Sequence, residues 1–206
     1  MKAKRLDAVV KLPFYDDGKI RIYNDNFESV LPLITERIDC IITDPPYPDY
    51  YEEEYKYYDG ILNFLADYNC RQLIFWSVRE PFPLDHTAIH IWDKARGVGT
   101  MCERIFERNG GIAHKVYRNQ KYNNQLDATI NRDILTEHKS QKPIKLIAKL
   151  IEDFTKEGDT ILDTFMGSGT TLAAAKKMGR NAIGIEIEKK WCEVAAKRLD
   201  EFNLFQ

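Results

Sequence analysis

A group of side chains that could do chemistry stands at the end of one apolar run. Residues 38–43 form the run, and Asp44-Pro45-Pro46-Tyr47 follows it directly. The run is typical of a buried strand, and two prolines cannot continue a strand ladder, so the strand must end there in a stiff bend. The bend holds a carboxylate, a backbone carbonyl and an aromatic ring together, and neither proline supplies an N–H. The stretch therefore predicts a site for a planar ring that carries an amino group, such as adenine or cytosine.

The predicted chemistry concerns that amino group, whose lone pair is delocalised into the ring and is a poor nucleophile. If an oxygen of Asp44 and the carbonyl of Pro45 each accept one N–H, the nitrogen moves towards tetrahedral geometry and its lone pair can point at an electrophile. The ring of Tyr47 would stack on the base. The alternative interpretation is a simple turn, because Asp-Pro pairs are ordinary turn starters.

A second stretch of chemical interest is Asp163-Thr164-Phe165-Met166-Gly167-Ser168-Gly169-Thr170-Thr171. It follows a predicted strand and opens a helix, and glycines at such a turn let a ligand approach the backbone. The phosphate-binding patterns Gly-Lys-Ser/Thr and Gly-x-Gly-x-x-Gly are both missing from it. The next strand ends at Glu186, whose carboxylate can accept hydrogen bonds from two ribose hydroxyls. These features predict an adenosine-bearing ligand without phosphates, although Gly-Ser-Gly is also common in loops and Glu186 also lies near a helix N-terminus.

Alternating strands and helices are expected to position both stretches. The pattern predicts an α/β fold with a doubly wound, mostly parallel sheet, in which ligands bind outside the carboxyl ends of the strands. The strands near residues 87–92 and 112–117 predict an antiparallel hairpin at one edge. The predicted strands are 19–23, 38–43, 72–76, 87–92, 112–117, 160–163 and 182–186, and the predicted helices are 27–36, 60–68, 143–155, 170–178 and 189–202.

Composition narrows the class of protein. The 206 residues are 44% apolar and 30% charged, which predicts one globular domain with a substantial core. No apolar run reaches membrane-spanning length and no signal sequence begins the chain, so we expect a cytoplasmic protein. The four cysteines are scattered, which indicates reduced thiols and no metal site. The net charge of −2 means that any contact with nucleic-acid phosphates must come from a local patch.

Taken together, these stretches resemble the amino-methyltransferases of DNA that use S-adenosylmethionine, the adenine-N6 and cytosine-N4 enzymes. Asp44-Pro45-Pro46-Tyr47 is similar to the family's catalytic motif, and residues 165–169 are similar to its cofactor loop. Residues 138–143, His-Lys-Ser-Gln-Lys-Pro, resemble the segment that precedes that loop. The catalytic motif comes before the cofactor loop, which is the permuted order of the family's beta group. The resemblance implies a Rossmann-like methyltransferase fold over most of the chain.

The resemblance also implies roles for individual residues. Gly167 and Gly169 would approach the cofactor, Glu186 would hold its ribose, and Asp25 would touch its adenine. Lys142 would lie near the methionine part, and Phe165 would flank the sulfonium. The full set of implied cofactor contacts is Asp25, Asp44, His138, Lys142, Asp163, Phe165, Gly167, Ser168, Gly169, Thr170 and Glu186, and the implied catalytic set is Asp44, Pro45, Pro46 and Tyr47.

The implied reaction is direct transfer of a methyl group to the amine, with neither a metal nor a covalent enzyme intermediate. Aspartate at the head of the catalytic motif favours adenine over cytosine, for which the family often has Ser or Thr. RNA or a protein glutamine amide is an alternative substrate, although those enzymes usually carry Asn at the position of Asp44. A cofactor-binding or DNA-binding subunit without activity is an alternative of another class.

Few residues of the chain are available for recognition of the target sequence. Only residues 94–137 remain for it, and the best candidate is the polar run 117–125. Arg118 and Lys121 could meet phosphates, and Asn123, Asn124 or Gln125 could hydrogen-bond to adenine, beside Tyr117. The alternative is a polar surface loop. A second subunit in a homodimer could complete so small a target-recognition region, because beta-group enzymes often pair.

Overall fold

The computed structural model of the chain describes residues 12–46, 58–94, 102–118 and 141–203. These ranges contain nine strands, five α-helices and a short 3-10 helix, Leu31–Leu33. The strands are β1 (Tyr15–Asp16), β2 (Ile20–Asn24), β3 (Cys40–Thr43), β4 (Arg71–Trp76), β5 (Ala88–Asp93), β6 (Cys102–Arg108), β7 (Val116–Arg118), β8 (Thr160–Asp163) and β9 (Asn181–Glu186). The helices are α1 (Phe27–Val30), α2 (Tyr58–Asp67), α3 (Ile144–Phe154), α4 (Thr170–Lys177) and α5 (Lys189–Asn203).

All nine strands belong to one sheet, in the order β1-β2-β9-β8-β3-β4-β6-β5-β7. The five strands from β2 to β4 in that order pair in parallel. The strand β6 pairs antiparallel with both β4 and β5, and β1 pairs antiparallel with β2. The last two strands of the chain, β8 and β9, lie between β2 and β3. The predicted doubly wound, mostly parallel sheet with an antiparallel edge is confirmed.

Helices cover both faces of the parallel strands, which is why β3 is buried at every position. Cys40 and Ile42 point to the face packed by α3, α4 and α5. Ile41, one residue between them, points to the opposite face, where α1 and α2 pack. Side chains of a strand alternate between faces, so a short apolar run can serve two cores at once.

Side-chain capping and prolines set the ends of two helices. The side chain of Asn26 caps α1 by accepting a hydrogen bond from the backbone of Glu28 at 2.9 Å. The predicted helix 27–36 is shorter than expected, because the chain tightens into the 3-10 helix at Pro32, which has no N–H to donate. Pro143 precedes α3 as its N-cap rather than forming its first residue.

The edge of the sheet differs from the sequence prediction. The second strand of the antiparallel hairpin is β6, not residues 112–117 as predicted. Only Val116–Arg118 of that predicted strand is extended, and it pairs in parallel with β5. Both β6 and β7 lie within the segment 94–137 that was predicted to hold target recognition, so part of that segment belongs to the sheet.

A buried polar cluster supports this edge from inside. His90 and Glu107 face each other across β5 and β6, with Nε2 and Oε2 3.1 Å apart, and the backbone N–H of Lys115 donates to His90 Nδ1 at 3.1 Å. Burial lowers the pKa of His90, so the imidazole is held neutral. The arrangement gives His90 a structural role. Within the described ranges there is no group of three or more acidic, histidine or cysteine residues that could hold a metal ion.

Among the helices of the described residues, none is both long enough and apolar enough to cross a membrane.

Candidate active site

The two stretches singled out from the sequence lie side by side at the carboxyl edge of the sheet. They meet because β3 and β8 are parallel neighbours, with Cys40 opposite Ile161. Just beyond that pairing, the buried hydroxyls of Thr43 and Thr164 are hydrogen-bonded at 3.0 Å. Asp44 follows the first threonine and the glycine turn follows the second. One hydroxyl pair therefore couples the predicted catalytic motif to the predicted cofactor loop.

The carboxylate of Asp44 is held by a lysine from a distant part of the chain. Lys142, which lies just before α3, donates from Nζ to Oδ2 of Asp44. The same ammonium lies 3.2 Å from Oε2 of Glu103 and sits over the ring of Phe75, 5.0 Å from its centroid. The family resemblance predicts that Lys142 lies near the methionine part of a cofactor. The structure places its ammonium beside the predicted catalytic carboxylate.

The glycine turn between β8 and α4 depends on left-handed backbone at two positions. Gly167 has φ of +50° and Gly169, the N-cap of α4, has φ of +76°. A Cβ at position 169 would lie 2.6 Å from Cβ of Ala195 on α5, so the loop also packs tightly against that helix. Such conformations favour glycine because other residues clash with their own carbonyl. The turn therefore requires glycine at position 169 both for its backbone conformation and for its packing against α5.

Glu186 closes the far side of the turn from the end of β9. Its Oε2 accepts from the backbone N–H of Gly167 at 3.1 Å, and its Oε1 accepts from the backbone N–H of Glu188 at 2.8 Å. Burial raises the pKa of Glu186 despite these donors. A carboxylate has about four acceptor positions, so acceptor capacity remains for a further donor such as a hydroxyl. Asp25 follows Asn24, which is in register with Glu186, and Asp25 Oδ1 accepts from the backbone of Asn26 at 2.6 Å.

Asp163 is the most strongly perturbed carboxyl group of the site. Burial, and after it the nearby charge of Asp44, raises the pKa of Asp163 to about 7. The hydroxyls of Thr171 and Thr43 and the N–H of Phe165, at 3.2 Å, oppose that effect with hydrogen bonds. A desolvated carboxyl group of this kind favours a cationic partner, because a nearby positive charge stabilises its ionised form.

The remaining predicted residues of the cofactor loop are fixed by the surrounding structure. Phe165 packs on Phe27, with ring centroids 5.4 Å apart and planes tilted by 55°. Ser168 is buried and donates from Oγ to Oε1 of Gln141 at 2.9 Å. Thr170 is also buried and accepts from Nη1 of Arg198 at 3.2 Å. These contacts give the three side chains a supporting role for the turn.

Three residues of this neighbourhood were not selected from the sequence. Arg198, buried on α5, donates to the carbonyl of Ser168 at 3.2 Å, and its place on the apolar face of that helix was an available signal. Gln141 lies inside the segment that resembled the family, so its position was also available. Glu103 gave no signal, because the strand that carries it was not predicted.

The predicted substrate contacts are only partly within the described residues. Tyr117 is 3% exposed and its hydroxyl donates to Asp153 of α3 at 3.0 Å, which gives it a packing role in the core. Arg118 is exposed at the end of β7. Tyr47, His138, Lys121, Asn123, Asn124 and Gln125 lie outside the described residues.

The fold and the site together define the class of protein. A mostly parallel sheet with a glycine turn and acidic side chains at its carboxyl edge is the Rossmann-like arrangement of methyltransferases. Residues 53–197 match the N6/N4 DNA methylase family, and the chain belongs to that family.

Individual relatives agree with this assignment. A segment of 66 residues, 32% of the chain, is 52% identical to the type II methyltransferase M2.DpnII of Streptococcus pneumoniae, and it spans 25% of that protein's length. The structure of the M1.HpyAVI–SAM complex aligns over 88% of this chain and 99% of its own, with a TM-score of 0.59 and 24% identity. The PvuII DNA methyltransferase (cytosine-N4-specific) aligns over 91% of this chain and 89% of its own, with a TM-score of 0.70 and 16% identity.

Proposed function

We propose that this protein transfers a methyl group from S-adenosylmethionine to the exocyclic amine of a base in DNA, with adenine N6 as the favoured acceptor. One observation carries the proposal. The hydroxyl pair of Thr43 and Thr164 holds the start of the catalytic motif against the start of the cofactor loop at 3.0 Å. An amine held by the one stretch therefore lies next to a ligand held by the other.

The residues present fit the proposed cofactor. The remaining acceptor capacity of Glu186 suits the hydroxyls of a ribose. The desolvated carboxyl group of Asp163 suits the ammonium of a methionine moiety. The ammonium of Lys142 suits its carboxylate, and Asp25 is the residue proposed for the adenine edge. When bound, S-adenosylmethionine supplies an electrophilic methyl group on a sulfonium.

The chain's own residues would act on the target amine by position and hydrogen bonding. An oxygen of Asp44 and the carbonyl of Pro45 accept its two N–H groups, which turns the nitrogen lone pair towards the cofactor site. Pro46 contributes the stiffness of the bend, and Tyr47 is proposed to stack on the base. In duplex DNA the base must leave the helix first, which costs on the order of a few kcal/mol and is offset by that stacking.

The test is incorporation of labelled methyl groups from S-adenosylmethionine into duplex DNA, single-stranded DNA and RNA, followed by nucleoside analysis. We expect N6-methyladenine in DNA, and a loss of roughly a hundredfold or more in the Asp44→Ala variant, since it lacks the amine's acceptor. Asp67→Ala, an exposed position at the end of α2, is the matched control and should keep full activity. Calorimetric titration with the cofactor should give measurable binding by the wild type. Binding without transfer to any nucleic acid would refute the proposal and direct attention to a protein substrate or an accessory subunit.

Methylation of cytosine N4 is the second candidate. The family includes both activities, and the PvuII structure that shares this fold is named as cytosine-N4-specific. Adenine is favoured because Asp44 heads the motif, where the resemblance leads us to expect Ser or Thr in a cytosine enzyme. The same nucleoside analysis separates the two products. Detection of N4-methylcytosine would correct the proposed acceptor base and leave the rest of the proposal unchanged.

DNA is the proposed macromolecular partner, with contacts from Arg118 and from the segment 119–125. A homodimer is proposed as the form that completes target recognition. Sedimentation with and without a DNA duplex tests both ideas, because a dimer that forms only on DNA sediments differently from a stable dimer and from a monomer.

A further inference from the structure

Four charged side chains of alternating sign form a continuous row beside the proposed methyl-transfer site. The row runs from Asp44 to Lys142, then to Glu103 and finally to Lys94. Lys142 contacts both Asp44 and Glu103, the latter at 3.2 Å between Nζ and Oε2. Lys94 donates a hydrogen bond from Nζ to the other carboxylate oxygen of Glu103, Oε1. Each central member of the row is thus held between two groups of opposite charge.

The strand β6 brings Glu103 to this position because it runs against its neighbours. β6 is antiparallel to both β4 and β5, so its first residues lie at the edge where those strands end. Glu103 is opposite Trp92 near the end of β5, and Lys94 comes two residues later in the chain. Phe75, near the end of β4, places its ring under the ammonium of Lys142 at 5.0 Å.

The central pair of the row is largely removed from water. The side chain of Lys142 is 11% exposed and that of Glu103 is 17% exposed. Burial by itself raises the pKa of Glu103, but Lys142 and Lys94 outweigh that effect and hold the pKa below its ordinary value. Desolvating such charges costs several kcal/mol per ion, and apolar replacements of buried ion pairs are often neutral or stabilising. Stability alone therefore gives no reason for charges here, at the mouth of the proposed site.

We propose that Glu103 is a positioning residue for methyl transfer, which holds the Lys142 ammonium between two carboxylates so that Asp44 keeps acceptor capacity for the target amine. This inference rests on the proposed function and extends it to a residue on a strand outside both motifs. Without the charge of Glu103, Lys142 has one carboxylate partner in the row instead of two. Its ammonium then competes directly with the amine for Asp44.

The physical reason is the strength of an ion pair in a site that is largely removed from water. Charge-assisted hydrogen bonds are roughly twice as strong as neutral ones, so the Lys142 ammonium competes well against a neutral amine for Asp44. A second carboxylate 3.2 Å from the ammonium shares its charge and weakens its hold on Asp44. The same placement leaves Lys142 in a shared position, from which it can also serve the carboxylate of the cofactor.

The test is a double-mutant cycle between Glu103→Gln and Lys142→Met. Glutamine keeps the shape and an acceptor oxygen at position 103 but removes the charge. The cycle is measured on two quantities, kcat for DNA methylation and the Kd for S-adenosylmethionine from calorimetry without DNA. Thermal unfolding of each variant establishes that it is folded. Glu193→Gln on α5, an exposed glutamate that forms only a 3.5 Å pair with Lys189 among the ion pairs of the described residues, is the matched control.

With Lys142 present, we expect Glu103→Gln to lower kcat by roughly tenfold, as a misplaced reacting group does. In the Lys142→Met background the same change should alter kcat and Kd by less than twofold, because the residue through which Glu103 acts is gone. Coupling of this kind in either quantity supports the proposal. An equal effect in both backgrounds for both quantities, or no effect in the wild-type background, overturns it.

Two further outcomes are distinguishable. If Glu103→Gln does not fold, Glu103→Asp withdraws the carboxylate from the Lys142 ammonium by one methylene group, and the cycle then measures the effect of that withdrawal. If the wild type binds the cofactor but methylates no nucleic acid, the proposed function fails, and the Kd cycle still decides whether Glu103 acts through Lys142.

Discussion

The glycine at the start of α4 offers the sharpest quantitative test of the cofactor loop. At position 169 the backbone has φ of +76°, and an added Cβ would lie 2.6 Å from Cβ of Ala195. Left-handed backbone costs a residue other than glycine about 1–2 kcal/mol. Overpacking by one methyl group in a closed contact costs about 1–3 kcal/mol more. Gly169→Ala is therefore expected to lower the free energy of unfolding by about 2–5 kcal/mol, a large part of the stability of a domain.

Gly158 provides a matched control that separates the two contributions. It also has left-handed backbone, with φ of +84°, but an added Cβ there would meet nothing within 4 Å. Gly158→Ala should thus cost only the backbone part, about 1–2 kcal/mol. It lies before β8, at the edge of the sheet away from the site, so cofactor affinity should stay unchanged.

The assay is urea unfolding followed by circular dichroism, together with calorimetric titration of S-adenosylmethionine. Gly169→Ala should weaken cofactor binding as well as stability, because the turn must shift to relieve the contact. The double variant with Ala195→Gly should recover the overpacking part, apart from the cost of about 1 kcal/mol for glycine in a helix. Equal destabilisation by Gly169→Ala and Gly158→Ala would refute the packing argument, and unchanged stability of both would refute the backbone argument.

Three further results are expected. Replacing Thr43 or Thr164 with Val should lower the free energy of unfolding by about 1–3 kcal/mol each. The double replacement should cost less than the sum of the two, since it leaves neither hydroxyl of the pair without the other. Urea unfolding of the three variants measures this, and strict additivity would contradict the hydrogen bond between the two hydroxyls. The pKa of Asp163, raised from 3.8 to about 7, means that its ionisation adds no cost to folding below pH 3.8 and destabilises the fold progressively between pH 3.8 and about 7. Asp163→Asn should therefore gain stability relative to wild type over that range, by at most about 4 kcal/mol, and parallel pH profiles would contradict the assignment. Gly184→Ala should destabilise by about 1–3 kcal/mol, because its Cβ would lie 2.5 Å from Sδ of Met166 and 2.7 Å from Cδ2 of Leu172; urea unfolding measures this, and unchanged stability would contradict the close packing.

Met166 also shows how the chain accommodates a departure from the family pattern. The resemblance leads us to expect a smaller residue in the loop at this position. The absence of a side chain at Gly184, one strand away, leaves space that Sδ of Met166 and the side chain of Leu172 occupy. Met166 and Gly184 are eighteen residues apart and belong to different elements, so this contact becomes visible only when β9 and the loop are packed together.

The strand β6 marks the place where sequence patterns failed. It reads Cys102-Glu103-Arg104-Ile105-Phe106-Glu107-Arg108, with four charged residues and two apolar ones, and no alternating pattern. Its charges are accommodated by partners from elsewhere, including the guanidinium of Arg71 for Glu107 and backbone carbonyls for Arg104. A charged residue is normally evidence against a buried strand, and that rule fails when other segments supply an opposite charge or hydrogen-bond acceptors.

The sequence by itself determined the five parallel strands β2, β3, β4, β8 and β9, the end of β3 before Asp44 and the glycine turn at residues 167–169. These features are local, because apolar runs, prolines and glycines restrict the backbone whatever surrounds them. The tertiary structure alone decided which carboxylates meet which cations. Lys142 reaches Asp44 across 98 residues of sequence, and Glu103 joins them through an antiparallel strand. Ion pairs of this kind depend on sheet order and strand direction, which no local pattern encodes.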